Sequence, residues 1–437
     1  MRLTLTATLM LLCGVARAQG VPVPLAPGAS AQTALPASEG LPPQRLAHIQ
    51  AALQAAHLDG WLFYDFRRSD PIAYRVLGLD LAHAGSRRWY CLIPARGQPR
   101  KLVHAIEPHA LDAVPGTTAT YAAWRVRDRE LGRLVSGMRR VAMQYSPRNE
   151  IPYVANVDAG TVELVRSLGP EVVTSADLVA ELGSVLSPVE LQSQARAAAL
   201  LSADLEATAQ EAVRRIRAGN PATERELADF ALARWAQEGL DAEGGTPGVA
   251  VDAHSADPHY SAPASGSALA GKNSILLLDF AARLGPGAIY ADLTRVYYLG
   301  ESTPAEVQRI AAVVFQARDA ALALIQKRYA QGAPVTGAEV DDAARKVIAA
   351  AGFGERFIHR TGHNIGVRGH GDGVHNDDFE THDARRHLAN TCFSIEPGIY
   401  LPGRFGIRSE IDACLLLDGR VELRPGELQN AVPALAP

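Results

Sequence analysis

The chain has 437 residues, 47% hydrophobic and 21% charged, with 43 Lys and Arg against 47 Asp and Glu for a formal net charge of −4. This length supplies more than one hydrophobic core and predicts two domains, or one large domain with an appendage. The balanced charge and the absence of a long Lys/Arg stripe exclude the electrostatic footprint of a nucleic-acid binder.

At the amino terminus, Arg2, the apolar stretch from Leu3 to Val15 and the ending Ala16-Arg17-Ala18 read as a cleavable secretory signal over residues 1–18. The mature protein is expected to begin near Gln19 and to be exported, periplasmic or secreted. A lipoprotein signal centred on Cys13 fits less well, because Leu12 stands where a small residue is expected. No other stretch is long and apolar enough to span a bilayer. Cleavage leaves Cys91, Cys392 and Cys414, an odd number without metal-type spacing. Cys392 and Cys414 can approach one another, with buried free thiols an equal reading, and the chain is no disulfide scaffold.

Residues 19–43 are rich in Pro, Ala, Gly and Ser without a periodic apolar face and read as a flexible segment. From residue 44 to 183, the strand-like runs Trp61 to Tyr64, Trp89 to Pro94, Lys101 to His104 and Val141 to Gln144 alternate with helical or loop segments, predicting a smaller α/β domain. An internal repeat then occupies residues 184–437. Ser187-Pro188-Val189-Glu190 and Thr303-Pro304-Ala305-Glu306 both read as capping boxes with Pro at the first helical position, each opening a long helix. Thr223 with Glu226 and Thr336 with Glu339 open a second helix in each half. The strand-rich segments Pro247 to Leu299 and Phe353 to Leu417 follow, so two helices and a sheet occur twice in a pseudo-twofold α+β domain.

Each strand-rich segment carries an acidic pair about a turn. Asp279 and Asp292 flank Gly285-Pro286-Gly287; Glu396 and Glu410 flank Pro402-Gly403-Arg404. Folded as hairpins, each pair lies side by side at ~5 Å, where like charges destabilise a sheet unless a cation sits between them. Pro397 predicts a bulge or strand end in the second hairpin. Histidines gather in the same segments: His259 in the first, and His359, His363 and His370 between Phe357 and His370. The spacing of His359 and His363 matches a helical zinc pair, but Gly362 and Gly366 argue for extended structure, and no His-Glu-x-x-His motif occurs. Four carboxylates with one or two imidazoles form a hard, oxygen-rich set suited to two divalent ions such as Mn, Co or Zn. Taken singly, a His beside Gly reads as a surface or hydrogen-bonded residue and an acidic pair as two solvated side chains. Both pairs with the His cluster in one repeat framework favour a metal centre. The His and Asp residues from Gly371 to His387 read as a solvated loop, with His375, His382 and His387 away from the metal.

The motifs Pro258-His259-Tyr260, Leu278-Asp279-Phe280, Ala291-Asp292-Leu293-Thr294-Arg295, Gly362-His363-Asn364-Ile365-Gly366, Ser394-Ile395-Glu396-Pro397-Gly398 and Gly406-Ile407-Arg408-Ser409-Glu410 occur in this order. Over residues 187–430 the chain thereby resembles the pita-bread metallopeptidases, specifically the aminopeptidase P and prolidase group. Asp65-Phe66-Arg67 and Arg87-Arg88-Trp89 are also similar to the amino-terminal domain of some members. The resemblance implies that Asp279, Asp292, His363, Glu396 and Glu410 hold two metals, with Mn ahead of Co or Zn, and that Asp292 and Glu410 bridge them. It implies that His259 and His370 contact the scissile region, that His359 and Arg408 support the pocket, and that the protein is a homodimer or higher oligomer. Asn364 stands where Gly is often seen and the turn between the aspartates is slightly longer; neither change removes a ligand. A hydroxide bridging the metals would attack, with Glu396 as general base and His259 and His370 donating hydrogen bonds as charge develops. The expected substrates are proline-containing peptides or dipeptides cleaved before proline. The alternatives are a creatinase-like C–N hydrolase without metal, or an inactive peptide-binding protein of the same fold.

Overall fold

The computed structural model describes residues 40–437 except Ala84. The signal over residues 1–18 and the tether up to residue 39 lie outside the described residues. The end of the predicted tether is anchored: the Gly40 amide donates to Gly78 O and the Leu41 amide to Ala113 O, both at 3.0 Å, and Leu41 is buried.

Helix α1 (Pro43–Ala55) leads into a six-stranded sheet built from β1 (Gly60–Asp65), β2 (Trp89–Pro94), β3 (Arg100–His104), β4 (Thr117–Tyr121), β5 (Arg140–Met143) and β6 (Glu171–Thr174) in the order β4-β3-β2-β1-β5-β6. β1 pairs antiparallel with β2 and parallel with β5. Every residue of β1 and β2 is buried because helices cover both faces. The two-residue alternation of a strand divides them. Trp61 and Phe63 enter a core with α1, α2 (Pro71–Leu77) and α5 (Ala176–Ser184). Leu62 and Tyr64 enter a second core with α3 (Trp124–Leu134) and α4 (Ala159–Ser167). Each fully buried large apolar side chain contributes about 1.5–3 kcal/mol, so both faces of this sheet are strongly held.

The repeat follows. Helices α6 (Pro188–Arg217) and α7 (Glu224–Glu238) cover the sheet β7 (Gly248–Val251), β8 (Ile275–Arg283), β9 (Tyr290–Tyr298). Helices α8 (Ala305–Ala330) and α9 (Gly337–Ala350) pack on strands of the second half. Those strands are β10 (Asn364–Ile365), β11 (Thr391–Ile395), β12 (Gly398–Leu401), β13 (Phe405–Arg408), β14 (Ile411–Leu415) and β15 (Val421–Arg424). They form a sheet ordered β10-β11-β14-β15 and a two-stranded ribbon β12-β13. β9 is buried throughout, with Leu293 and Tyr297 in the α6–α7 core and Val296 and Tyr298 in the α8–α9 core, so it joins the two halves. The architecture is the expected pseudo-twofold α+β domain preceded by a smaller α/β sheet domain.

Ser187 with Glu190, Thr223 with Glu226 and Thr336 with Glu339 form full capping boxes. Thr303 does not: Pro304 is itself the N-cap of α8, Thr303 Oγ1 donates to Val432 O at 2.8 Å, and Glu306 pairs with Arg404 at 2.7 Å. Long-range partners have displaced the local box. The segment from Gly371 to His387 is also not a solvated loop. Asp372, His375, Asn376, Asp377, Asp383 and Arg385 are buried, and they satisfy one another: Asp383 accepts from the His375 amide at 2.8 Å and from Arg385 Nη2 at 2.6 Å. His382, paired with Asp378 at 2.5 Å, is the exposed histidine of this stretch. Cys392 and Cys414, register partners on β11 and β14, form a disulfide, and Cys91 is a buried free thiol. Among the described residues, no helix is long and apolar enough to cross a membrane.

Candidate metal centre

The two acidic pairs reach one another by different registers. On β8 and β9, Asp279 is opposite Thr294 and Asp292 is opposite Ala281, so the aspartates are diagonal neighbours on one face instead of directly opposed. In the second half, the pairs Ile395–Ile411 and Gly398–Arg408 bracket Glu396 and Glu410, which therefore stand opposite each other. Both glutamates sit at the joint where Pro397 interrupts the ladder, as a residue without an N–H must. The Glu396 amide donates to Thr361 O at 2.7 Å, tying this joint to the histidine segment.

Convergence is tight. One ligand atom each from Asp292, His363 and Glu410 lie within 4.8 Å of one another, and all three residues are buried. His363 Nε2 is 3.6 Å from Asp292 Oδ2 and 3.5 Å from Glu396 Oε1. Asp279 is held from the other side: Arg408 forms an ion pair with its carboxylate, and Thr294 Oγ1 lies 3.0 Å from Asp279 Oδ1 and 2.7 Å from Glu410 Oε2. Burial, with the charges of Asp279 and Glu396 added, raises the Asp292 carboxyl to about 6 despite its contact with His363. Burial, then the charges of Asp292, Glu396 and Asp279, raise Glu410 well above the ordinary carboxylate value. Burial acts to lower His363, but the hydrogen bond to Asp292 and the charge of Glu396 outweigh it and raise its pKa. Four carboxylates facing Arg408 and one imidazole leave an excess of negative charge in a desolvated space, and buried charges of this kind are paired or coordinate metal. The donor set fits divalent cations.

The remaining sequence-predicted residues surround this cluster. His359 Nδ1 contacts Arg360 O and its Nε2 contacts the Tyr400 hydroxyl, both at 2.7 Å. A carbonyl only accepts, so Nδ1 carries the proton and Tyr400 donates to Nε2. Burial lowers the pKa of His359, in keeping with a neutral ring. Arg408 donates from Nε to Thr294 Oγ1 at 3.0 Å and from Nη1 to Pro258 O at 3.3 Å, which links the aspartate side to the loop bearing His259. His259 is exposed, and its amide donates to Asp257 Oδ1 at 3.0 Å. His370 lies with its ring centroid 4.1 Å from that of His363. His370 is exposed, yet the neighbouring His363, then partial desolvation of the ring, then Arg360 depress its pKa to about 3.

Several members of this arrangement were not singled out by role from sequence. Thr294 is fully buried between Asp279 and Glu410. Asp412 Oδ2 accepts from the Asp292 amide at 3.1 Å and from Gln194 Nε2 at 2.7 Å, so it fixes the backbone of a candidate ligand. Their position two residues beyond Asp292 and Glu410, on the same strand face, is the signal that could have found them. Gln194, more than two hundred residues from Asp412, leaves no such trace. A cavity of about 430 Å³ lies apart from this cluster, among Tyr64, Arg88, Arg127 and Asp158 of the amino-terminal sheet domain.

The sequence model of metallopeptidase family M24 (Peptidase_M24) matches residues 194–415, just over half of the chain. Over 178 residues the chain is 37% identical to the probable dipeptidase PepE of Mycobacterium tuberculosis strain H37Rv, a match covering 40% of this chain and 43% of that protein. It is 30% identical over 201 residues to an uncharacterized peptidase of Staphylococcus aureus strain MSSA476, covering 45% of this chain and 52% of that one. The matches therefore span about half the length of these curated relatives. Among solved structures, dipeptidase PepE from Mycobacterium ulcerans superposes with a TM-score of 0.63 at 26% identity, covering 89% of this chain and 97% of that chain. X-Pro aminopeptidase from Thermotoga maritima gives a TM-score of 0.56 at 23% identity over 89% of this chain and 99% of that chain, a likeness of fold. With its matched segment containing Asp279, Asp292, His363, Glu396 and Glu410, this chain belongs to metallopeptidase family M24.

Proposed function

We propose that the protein is an exported dinuclear-metal exopeptidase that hydrolyses the bond before proline in Xaa-Pro peptides. The observation that carries this reading is the buried convergence of Asp292, His363 and Glu410 within 4.8 Å, with Glu396 3.5 Å from His363. Asp279, Asp292, His363, Glu396 and Glu410 would hold two divalent ions, with Mn favoured over Co or Zn. When bound, such ions supply Lewis-acid polarisation of the scissile carbonyl and a water acidic enough to attack near neutral pH.

The chain's own residues do the rest. Glu396 takes the proton of the attacking water and passes it to the departing amine. His259 and His370 donate hydrogen bonds where negative charge develops on the substrate. Arg408 holds Asp279 and the His259 loop together, and His359 fixes Tyr400 at the edge of the site. An Xaa-Pro bond has no N–H, so its recognition uses ring shape and neighbouring carbonyls. Relatives named as dipeptidases favour dipeptide substrates within this reading. A complete set of ligand types argues against the metal-free creatinase-like alternative and against a binding protein that has lost catalysis. Residues 44–183 and 184–437 are taken as the two domains, and a homo-oligomer is expected. Export rests on residues 1–18: intact mass of the exported protein should start at Gln19, and retention of Met1 to Ala18 would refute that part.

Elemental analysis of the purified protein, with release rates from Xaa-Pro dipeptides, Xaa-Pro-Yaa tripeptides and Xaa-Ala controls, tests the reading. Two equivalents of metal and faster cleavage before proline are expected. A metal-free protein that cleaves none of them would overturn it.

A further inference from the structure

The proton on His370 is placed by a residue outside the candidate ligand set. Arg360 is buried, and its guanidinium makes two contacts of different kinds: Nη1 lies 2.6 Å from the Tyr153 hydroxyl, and Nη2 lies 3.1 Å from His370 Nδ1. A guanidinium has five N–H donors, no acceptor and a charge it does not lose in proteins. Nδ1 of His370 must therefore offer its lone pair, which leaves the single proton of the neutral ring on Nε2. Arg360 is in turn fixed from two sides. Its amide donates to Glu380 Oε1 at 2.9 Å, and Tyr153 belongs to the amino-terminal sheet domain, in the short turn Pro152–Val154. The Tyr153 ring also packs on buried His375 at 4.4 Å between centroids. A second tie between the domains lies next to this one, where Arg75 of α2 forms an ion pair with Asp372, two residues beyond His370.

We propose that Arg360, braced by Tyr153 of the amino-terminal domain, is a positioning residue that holds His370 as a neutral Nε2–H hydrogen-bond donor. This rests on the reading of His370 as a group that donates to the substrate. It gives the amino-terminal domain a part in catalysis: through Arg360, Tyr153 of that domain sets the tautomer and ring orientation of His370 in the other. It also separates two roles that sequence alone leaves alike, since an Nε2–H imidazole is a donor and neither a base nor a ligand through that nitrogen.

The test combines spectroscopy and kinetics on the full chain. In zinc-loaded protein with ¹⁵N-labelled histidine, the His370 resonances, assigned by their loss in His370→Gln, should show an unprotonated, hydrogen-bonded Nδ1 and a protonated Nε2. Arg360→Ala should remove the hydrogen-bond shift at Nδ1. It should also lower kcat/KM on an Xaa-Pro dipeptide by ~100-fold, the scale of a misplaced reacting group, at unchanged metal content and mainly through kcat. Millimolar guanidinium should restore at least part of that loss in Arg360→Ala and none in His370→Gln. Tyr153→Phe, which keeps the ring against His375, should show a smaller loss in the same direction. Should Arg360→Ala fold poorly, Arg360→Lys keeps one donor and should retain the Nδ1 signature. A protonated Nδ1 in the wild type, or an Arg360→Ala variant with wild-type kcat and an unchanged Nδ1 resonance, overturns the proposal. If the wild type cleaves no Xaa-Pro peptide, the functional reading fails, and the nitrogen spectrum still decides the placement of the proton.

Discussion

Thr294→Val should weaken metal binding by ~10- to 100-fold while leaving the fold intact. Thr294 is fully buried on β9, and its hydroxyl stands 2.7 Å from Glu410 Oε2, 3.0 Å from Asp279 Oδ1 and 3.0 Å from Arg408 Nε. It has one proton, so it donates to one carboxylate at a time while accepting from Arg408. Valine keeps the shape and the β-branched preference for a strand, so the cost falls on polar contacts. Hydrogen bonds to charged groups are worth ~1.5–3 kcal/mol each. Asp279 retains its ion pair with Arg408, so the uncompensated loss is centred on Glu410. One such bond corresponds to ~10- to 100-fold in affinity at 1.4 kcal/mol per decade, the range typical of groups that orient metal ligands. Competition titration with a chromogenic Mn²⁺ chelator measures it, with Thr294→Ser expected to stay near wild type. A Thr294→Val protein that binds metal as tightly as wild type would refute the assignment of Thr294 as the hinge between the two acidic pairs.

Glu396→Gln should keep the fold and much of the metal yet lose at least ~100-fold in kcat, because the amide preserves shape but cannot take a proton; near-normal turnover at matched metal content would remove Glu396 as the base. His259→Ala should retain metal and lose ~100-fold in kcat/KM, whereas His363→Ala should lose metal occupancy, and only the second should respond to excess Mn²⁺. Recovery of His259→Ala by added metal would reassign His259 as a ligand. His387 gives a pH prediction: its ring lies 4.4 Å from Phe393, its Nε2 lies 2.8 Å from Asn376 Oδ1, and burial lowers its pKa to about 4. The unfolded chain takes up this proton first as pH falls below ~6.5, so the contribution is fully present above that pH and is lost between ~6.5 and 4, by up to ~3 kcal/mol. Denaturant titrations of wild type and His387→Gln should diverge by about that amount across this window, and parallel curves would show that His387 protonates equally in both states.

The strand runs around Trp61, Trp89, Lys101 and Val141 were legible because apolar, β-branched and aromatic residues there need two covered faces, and such runs declare themselves without long-range information. The capping boxes at Ser187, Thr223 and Thr336 were legible for the same reason, since donor and acceptor lie three residues apart. Thr303 has the same pattern, but a carbonyl from Val432 competes for its hydroxyl, and no local rule contains that carbonyl. The buried polar segment from Gly371 to His387 misled for a related reason: a run of His, Asp and Asn looks solvated until its members are seen to satisfy one another.

For the metal centre, residue types and strand-face periodicity were enough to select the two acidic pairs and the histidine segment. Direct opposition of Asp279 and Asp292 needs the turn centred between Gly285 and Pro286, but it is centred between Pro286 and Gly287, which moves the register by two and makes the pair diagonal, yet an even shift keeps both carboxylates on one face. That is why the aspartates share a strand face, as expected from sequence, but are diagonal and not directly opposed. Tertiary structure alone decided how the two halves meet, that Thr294 joins the pairs, that Asp412 and Gln194 back Asp292, and that Arg360 and Tyr153 set the state of His370. Spacing along a chain determines which side chains share a strand face; it carries no record of which distant face folds against it.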